Sequence, residues 1–234
     1  MPLLKKFIKL MKDELVTTNS NLKPKKSSFT WVLDESKYLN LEEVCKLRKA
    51  CREAKESALN QNKLTAVRDW FMIELGLMTG LRVQEMADLK CSDLLINRKQ
   101  SMLIVQNGKG GRKRAVKINS EFKEDCLWFM EWKRKAGQSI NDTACLLTSD
   151  KGKKLTKRAL QKAFKRCTRK ANLPEHYSIH CLRHTHGSHL YKVSNYNLRL
   201  VQQQLGHTSI KITEVYASLM NSDVKDAVEK LYKK

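Results

Sequence analysis

The sequence predicts a mainly α-helical domain with a small antiparallel β-sheet, an α+β fold, on three observations. From about residue 38 onward, apolar residues recur at helical spacing between capping signals, which marks amphipathic helices. Residues 101–118 alone change period, forming two short strand-like runs around a glycine-rich loop. The 234 residues, 41% of them hydrophobic, can bury one core and suit a single domain with appendages rather than a disordered chain.

In chain order, residues 1–35 form a basic, partly amphipathic lead-in ending in the linker-like NSNLKPKKSS, with residues 36–216 as the globular body. The body opens at Asn40, which with Glu43 three positions on makes a capping-box start. The helix it opens runs to about Ala58, with Leu41, Val44 and Leu47 as its expected buried stripe. After the polar break LNQNK, an apolar helix meets a turn at Thr79-Gly80 and the chain restarts as a helix with Arg82 near its beginning. There backbone N–H groups favour an anion, and Glu85, three residues on, shares the face and can hold the guanidinium. Read alone, Arg82 would be a solvated surface residue.

Met102 to Val105 and Ala115 to Ile118 read as a β-hairpin with a cationic tip carrying Lys109, Arg112, Lys113 and Arg114. Glycines at 108, 110 and 111 would let backbone and Lys109 approach a phosphate closely, although such a tip also serves as a solvated edge. A helix over Glu121 to Lys135 is expected to bury Phe122, Leu127, Trp128 and Trp132. Residues 151–170 then carry ten Lys or Arg and no acid, with Thr156 as N-cap and Leu160, Ala163, Phe164 and Cys167 as an apolar stripe. A solvated helix usually mixes signs, so Lys153, Lys154, Lys157, Arg158, Lys162, Lys165 and Arg166 are expected to meet phosphates.

Residues 176–216 hold all six histidines. At about 100° per residue, His180, Arg183, His184 and Gly187 share one helix face, and Leu182, His189, Leu190 and Val193 fall on the opposite, core-facing one. Asn197 then caps a helix burying Leu198, Val201 and Leu205, and Gly206 stops it just before His207. A short helix from Ser209 would present Tyr216. An arginine, several histidines and a late tyrosine gathered by tight turns can grip a phosphodiester and attack it. Taken singly, His180 would be a satisfied core or cap histidine and Tyr216 a packing residue. Residues 217–234 form an amphipathic tail that folds back on its own body or docks on a neighbouring copy.

The net charge of +22, from 46 Lys and Arg against 24 Asp and Glu, points to a polyanionic partner, nucleic acid first. No stretch approaches the roughly 18 apolar residues of a spanning helix, so no membrane is expected. The first fifteen residues lack a continuous apolar run and a cleavage site, and seven cysteines without a C-x-x-C pair suit reduced thiols in the cytoplasm.

Five segments, in order, resemble the catalytic domain of the tyrosine recombinase (phage integrase) family. TGLRVQE resembles its first arginine box, NGKGGRKRAVKI its lysine hairpin, HCLRH its H-x-x-R box, LGH its next histidine, and Tyr216 its nucleophile. The resemblance spans roughly residues 38–232. It implies an enzyme that exchanges DNA strands with no metal or nucleotide cofactor, consistent with the lack of a G-x-x-x-x-G-K-[ST] loop. By that resemblance Arg82, Arg183 and His207 bind the scissile phosphate, Tyr216 attacks phosphorus, His180 is the candidate base and Lys109 protonates the leaving oxygen. Glu85 and His184 support them. Double-stranded DNA and further copies of the chain on it are the implied partners, with the nucleoid as the place of work.

Three departures from the family stand out. The 35 or so leading residues are too few for the usual core-binding domain, so either another chain supplies it or this is a minimal or excised catalytic unit. His186 stands where an apolar residue is common, and Lys117 where proline is common. Three rival readings are a zinc site of His180, His184, His186 and His189, a non-catalytic DNA-binding protein of the same fold, and a type IB topoisomerase. The first lacks H-E-x-x-H and a completing cysteine pair.

Overall fold

The computed structural model describes residues 35–61, 63–97, 101–108, 111, 113–207, 213 and 216. The lead-in, Lys109 and Arg112 at the hairpin tip, most of the segment after His207 and the tail from 217 lie outside the described residues. The chain divides into two units, residues 1–31 and 32–234, and everything described belongs to the second.

Helix α1, Leu41–Leu59, begins with the anticipated capping box: Asn40 accepts from the Glu43 N–H while Glu43 accepts from that of Asn40. Its buried stripe is Leu47, Cys51 and Ala58. Leu41 is instead 71% exposed, because the first helical position projects beyond the turn that packs. Helix α2, Leu64–Thr79, is apolar almost all round and is accordingly buried, packing against α1 and the later helices. Its two buried carboxylates have partners: Asp69 accepts from Arg166 and Glu74 from Arg48. Gly80, in the left-handed region at φ 60°, ends the helix as only glycine does without strain. The short helix α3, Val83–Asp88, follows with Arg82 at its N-cap.

Three antiparallel strands come next: β1 Leu94–Ile96, β2 Ser101–Val105 and β3 Arg114–Lys117, ordered β1-β2-β3. The expected hairpin is there, with β1 added at its edge and β3 beginning one residue earlier than anticipated. The register pairs Leu103 with Val116 and Val105 with Arg114, so Arg114 shares a face with buried Val116.

Helix α4, Ser120–Lys135, is capped by Asn119 and buries Phe122, Cys126 and Phe129. Leu127 and Trp128 were expected in the core but are 41% and 37% exposed, since the stripe runs through 122, 126 and 129 and they flank it. Trp128 still packs edge-on against Trp70, with the Lys55 ammonium over both rings. Phe71 of α2 lies between Phe122 and Phe129, stacked on the latter at 3.8 Å.

Helix α5, Lys157–Lys170, has the expected Thr156 cap and buries the whole expected stripe, Leu160, Ala163, Phe164 and Cys167. Helix α6, His180–Val193, crosses α2 closely: a methyl group on Gly76 would lie 2.6 Å from Leu182 Cδ1. Leu182 is buried as expected. Leu190 and His189 are only half-buried, His189 edge-on against Tyr38, and Val193 is 78% exposed. Helix α7, Leu198–Leu205, runs from the Asn197 cap to Gly206 at φ 67°.

Candidate active site

Arg183 is the hub. It is 7% exposed and donates from Nη1 to Gly80 O at 2.6 Å and from Nη2 to Leu205 O at 2.9 Å. Those carbonyls stand where α2 and α7 end at their left-handed glycines, so two helix C-termini point their negative ends at one guanidinium. Each such charge-assisted bond is worth about 1.5–3 kcal/mol. Burial first, then the neighbouring Arg82, lowers the Arg183 pKa to about 10, which leaves it protonated at neutral pH.

One turn further along α6, His186 fastens α6 to the end of α2. Its Nδ1 lies 2.8 Å from Leu77 O, another carbonyl freed at the end of α2, and its ring edges Gly80. The polar group at this position thus has a partner inside the fold. Burial, only partly offset by that carbonyl, lowers the His186 pKa to about 4 and keeps the ring neutral.

Arg82 stands at the N-cap of α3, with its backbone N–H donating to Glu85 Oε2 and its Nη1 to Glu85 Oε1. Arg114 meets the same carboxylate from β3, Nη1 to Oε1 and Nη2 to Oε2, both at 2.9 Å. Burial alone would raise the Glu85 pKa; Arg114 and then Arg82 bring it down to about 2. Three guanidinium groups against one carboxylate leave this cluster at a net charge of +2, suited to an anion.

Tyr216 is 1% exposed and lies against α6 at Gly187, where a methyl group would be 2.5 Å from its Cζ and 2.6 Å from its hydroxyl. Its ring centroid is 6.4 Å from that of His184. Burial raises the phenol pKa to about 12 against the opposing pull of Arg183 and then Arg82. His207, just past the Gly206 turn, sets Nδ1 2.8 Å from Thr213 Oγ1. Burial, then Arg183, Arg82 and Arg114, lowers its pKa to about 3, and burial with Arg183, His180 and Lys37 lowers that of His184 to about 4.

The structure therefore brings together Arg82, Glu85, Arg183, His184, His207 and Tyr216. His180 is exposed at the first position of α6, one turn before His184. Lys109 lies outside the described residues, as does Arg112. Among the described residues, no group of three or more His, Cys, Asp or Glu side chains is placed to hold a metal ion.

Of the expected phosphate-contacting residues, Lys113, Lys153, Lys157, Arg158 and Lys162 are exposed and make no ion pair with a described residue. Lys154 pairs with Asp88, Lys165 with Glu175 and Arg166 with Asp69, while Arg114 is committed to Glu85. Sequence reasoning missed what Arg114 does, although strand alternation with Val116 was a signal that it points inward. Thr213 was also missed, and nothing in its local sequence marks it. Among the described residues, no helix is long and apolar enough to cross a membrane.

Residues 37–222 match the pattern of the phage integrase family. A tyrosine recombinase XerC from Chromohalobacter salexigens is 34% identical over 168 residues, 71% of this chain and 53% of that protein. One from Caldanaerobacter subterraneus is 30% identical over 164 residues, 70% of this chain and 44% of that one. The chain spans about half the length of the curated relatives it matches. Among solved structures, XerH recombinase bound to palindromic difH substrate in a post-cleavage complex superposes with a TM-score of 0.68 at 25% identity, covering 93% of this chain and 58% of that one. XerA recombinase, at 22% identity and a TM-score of 0.67 over 98% of this chain and 74% of its own, shares the fold.

Proposed function

The chain belongs to the phage integrase family, and on that premise we propose that it is a site-specific DNA recombinase working through a 3′-phosphotyrosyl intermediate. The observation that carries the reading is the convergence of the Tyr216 hydroxyl, seated on Gly187, with the Arg82 and Arg183 guanidiniums.

Arg82 and Arg183 hold the non-bridging oxygens of one phosphodiester, and His207 adds a third donor. Nδ1 is occupied by Thr213 Oγ1, and in the tautomer that accepts from that hydroxyl the neutral ring carries its hydrogen on Nε2, the form that donates to a phosphate oxygen. These donors gain strength as negative charge grows in the transition state, and losing one costs about 10² to 10³ in rate. The Tyr216 oxygen bonds to phosphorus, the bond from phosphorus to the 5′-oxygen breaks, the phenol proton passes to His180 and the leaving oxygen takes a proton from Lys109. The phosphotyrosyl ester conserves the bond, so a second 5′-hydroxyl is joined by the reverse step with no nucleotide spent.

A phenol pKa of about 12 leaves roughly one part in 10⁵ ionised at pH 7. The tyrosine is thus stored un-ionised, and a base has to take its proton as the phosphate enters. The exposed lysines and arginines of α5 and Lys113 supply sequence-independent attraction to duplex DNA, on which copies of the chain assemble. Residues 36–216 are the catalytic domain. Action on DNA, with seven cysteines suited to reduced thiols, fits a protein of the cytoplasm.

The test is incubation with nicked suicide duplexes carrying candidate sites. The wild type forms an SDS-resistant DNA adduct in the presence of chelator and Tyr216→Phe binds without forming one. Chelator-sensitive cleavage, or an adduct in the Phe variant, would overturn the reading, and relaxed circles without exchanged strands would make the protein a topoisomerase.

A further inference from the structure

The Glu85 carboxylate accepts four hydrogen bonds, two on each oxygen, and thereby uses all of its acceptor capacity. Two come from Arg82 and two, as a parallel fork, from Arg114. Of the two guanidiniums, that of Arg82 is the more open, with its side chain 26% exposed against 13% for Arg114. Arg114 also reaches the other wall of the site. A methyl group on Gly206 would come 2.3 Å from Arg114 Cδ and 2.5 Å from its Nε, so the arginine stem lies against the turn that carries His207 and follows the Leu205 carbonyl gripped by Arg183. The Arg114 Nε is buried with no hydrogen-bond partner, a cost that a purely structural ion pair would avoid by turning outward.

We propose that Arg114 is a positioning residue for the strand-transfer reaction: by occupying both Glu85 oxygens and bracing the Gly206 turn, it fixes Arg82 and His207 around one phosphate. The inference rests on the recombinase reading above. Without the fork of Arg114, both Glu85 oxygens are free to take the Arg82 guanidinium side-on, in the bidentate geometry arginine prefers, and that draws it off the phosphate. Lysine is no substitute, because a single ammonium cannot span the two oxygens as a planar fork does. The inference also reassigns a residue whose place in a basic hairpin suggested direct DNA contact.

The experiment compares wild type, Arg114→Met, Arg114→Lys, Glu85→Gln and the double variant Glu85→Gln/Arg114→Met in single-turnover suicide cleavage at saturating DNA, with DNA affinity measured alongside. Arg114→Met is expected to lose roughly 10- to 100-fold in cleavage, the scale of an ångström-sized misplacement, and less than about 3-fold in affinity, the loss of a single exposed phosphate contact being larger. Arg114→Lys recovers little, and the double variant is no slower than the slower single one.

A pH profile adds a readout that lost packing would not move. Glu85 faces Arg82 from the α3 N-cap, Arg114 from β3 and Arg183 from α6. With Arg114 gone its buried carboxyl titrates higher, so the acid-side loss of rate sets in at a higher pH in Arg114→Met than in the wild type. Wild-type cleavage by Arg114→Met, multiplicative losses in the double variant, or an affinity loss as large as the rate loss would overturn the inference while leaving the recombinase reading intact. Carbon-13 titration of Glu85 in DNA-free protein tests the contact even if the wild type makes no adduct: the midpoint rises in Arg114→Met, and an unchanged midpoint refutes the role.

Discussion

Gly187→Ala isolates the seat of Tyr216, the proposed nucleophile. The added methyl group would sit 2.5 Å from Tyr216 Cζ and 2.6 Å from its hydroxyl, where carbon contacts settle at about 3.5–4.0 Å. Gly187 lies inside α6 with no left-handed backbone, so the helix itself tolerates alanine and gains about 0.8–1 kcal/mol from it. The strain falls on the ring, which has to retreat by about 1 Å, and a misplacement of that size costs on the order of 10² in rate. Overpacking costs about 1–3 kcal/mol against the helix gain, so net stability changes by no more than about 2 kcal/mol. The assay is single-turnover suicide cleavage, with a denaturant titration to measure stability. Wild-type cleavage by a folded Gly187→Ala protein would refute the reasoning, because it would mean that the reacting tyrosine does not use this seat.

Three further perturbations probe other parts of the site. Arg183→Lys abandons at least one of the carbonyls at Gly80 and Leu205, so cleavage should fall by about 10² to 10³ and the unfolding midpoint should drop as well; a near-normal rate would remove Arg183 from phosphate binding. Replacing Lys157, Arg158 and Lys162 together with alanine should weaken binding to all duplexes alike and reduce the salt slope by up to about 2.7, near 0.9 per lost contact; an unchanged slope would take α5 off the DNA. His184, His186 and His207 have folded pKa values of about 4, 4 and 3, below the ordinary 6.5. The unfolded chain therefore binds more protons as pH falls from 6.5, and the stability present above that value is lost on the way to pH 4. Denaturant midpoints that stay level across this window would contradict the burial of the three rings.

Local signals made most of the helices legible. Asn40 with Glu43, Thr156, Asn197, Gly80 and Gly206 each act within one turn, and all five do what their sequence context says. Periodicity failed where it depends on what lies opposite. Val193 is left exposed at the end of α6, and Leu127 and Trp128 flank the α4 stripe instead of forming it. Strand β1 is only three residues long and gave too short a pattern to read. In the site, the residue types were legible and their partnerships were not. The carbonyls that hold Arg183 lie 103 and 22 positions away, and Arg114 meets Glu85 across 29, distances that only the folded chain closes.

On the proposed mechanism, a tyrosine buried among guanidiniums becomes the carrier of a DNA strand. The most direct measurement traps the protein on a suicide duplex, digests protein and DNA, and locates the nucleotide-bearing peptide by mass spectrometry. The expected product is a 3′-phosphonucleotide esterified to Tyr216. A nucleotide on any other side chain, or a 5′-linked one, would contradict it.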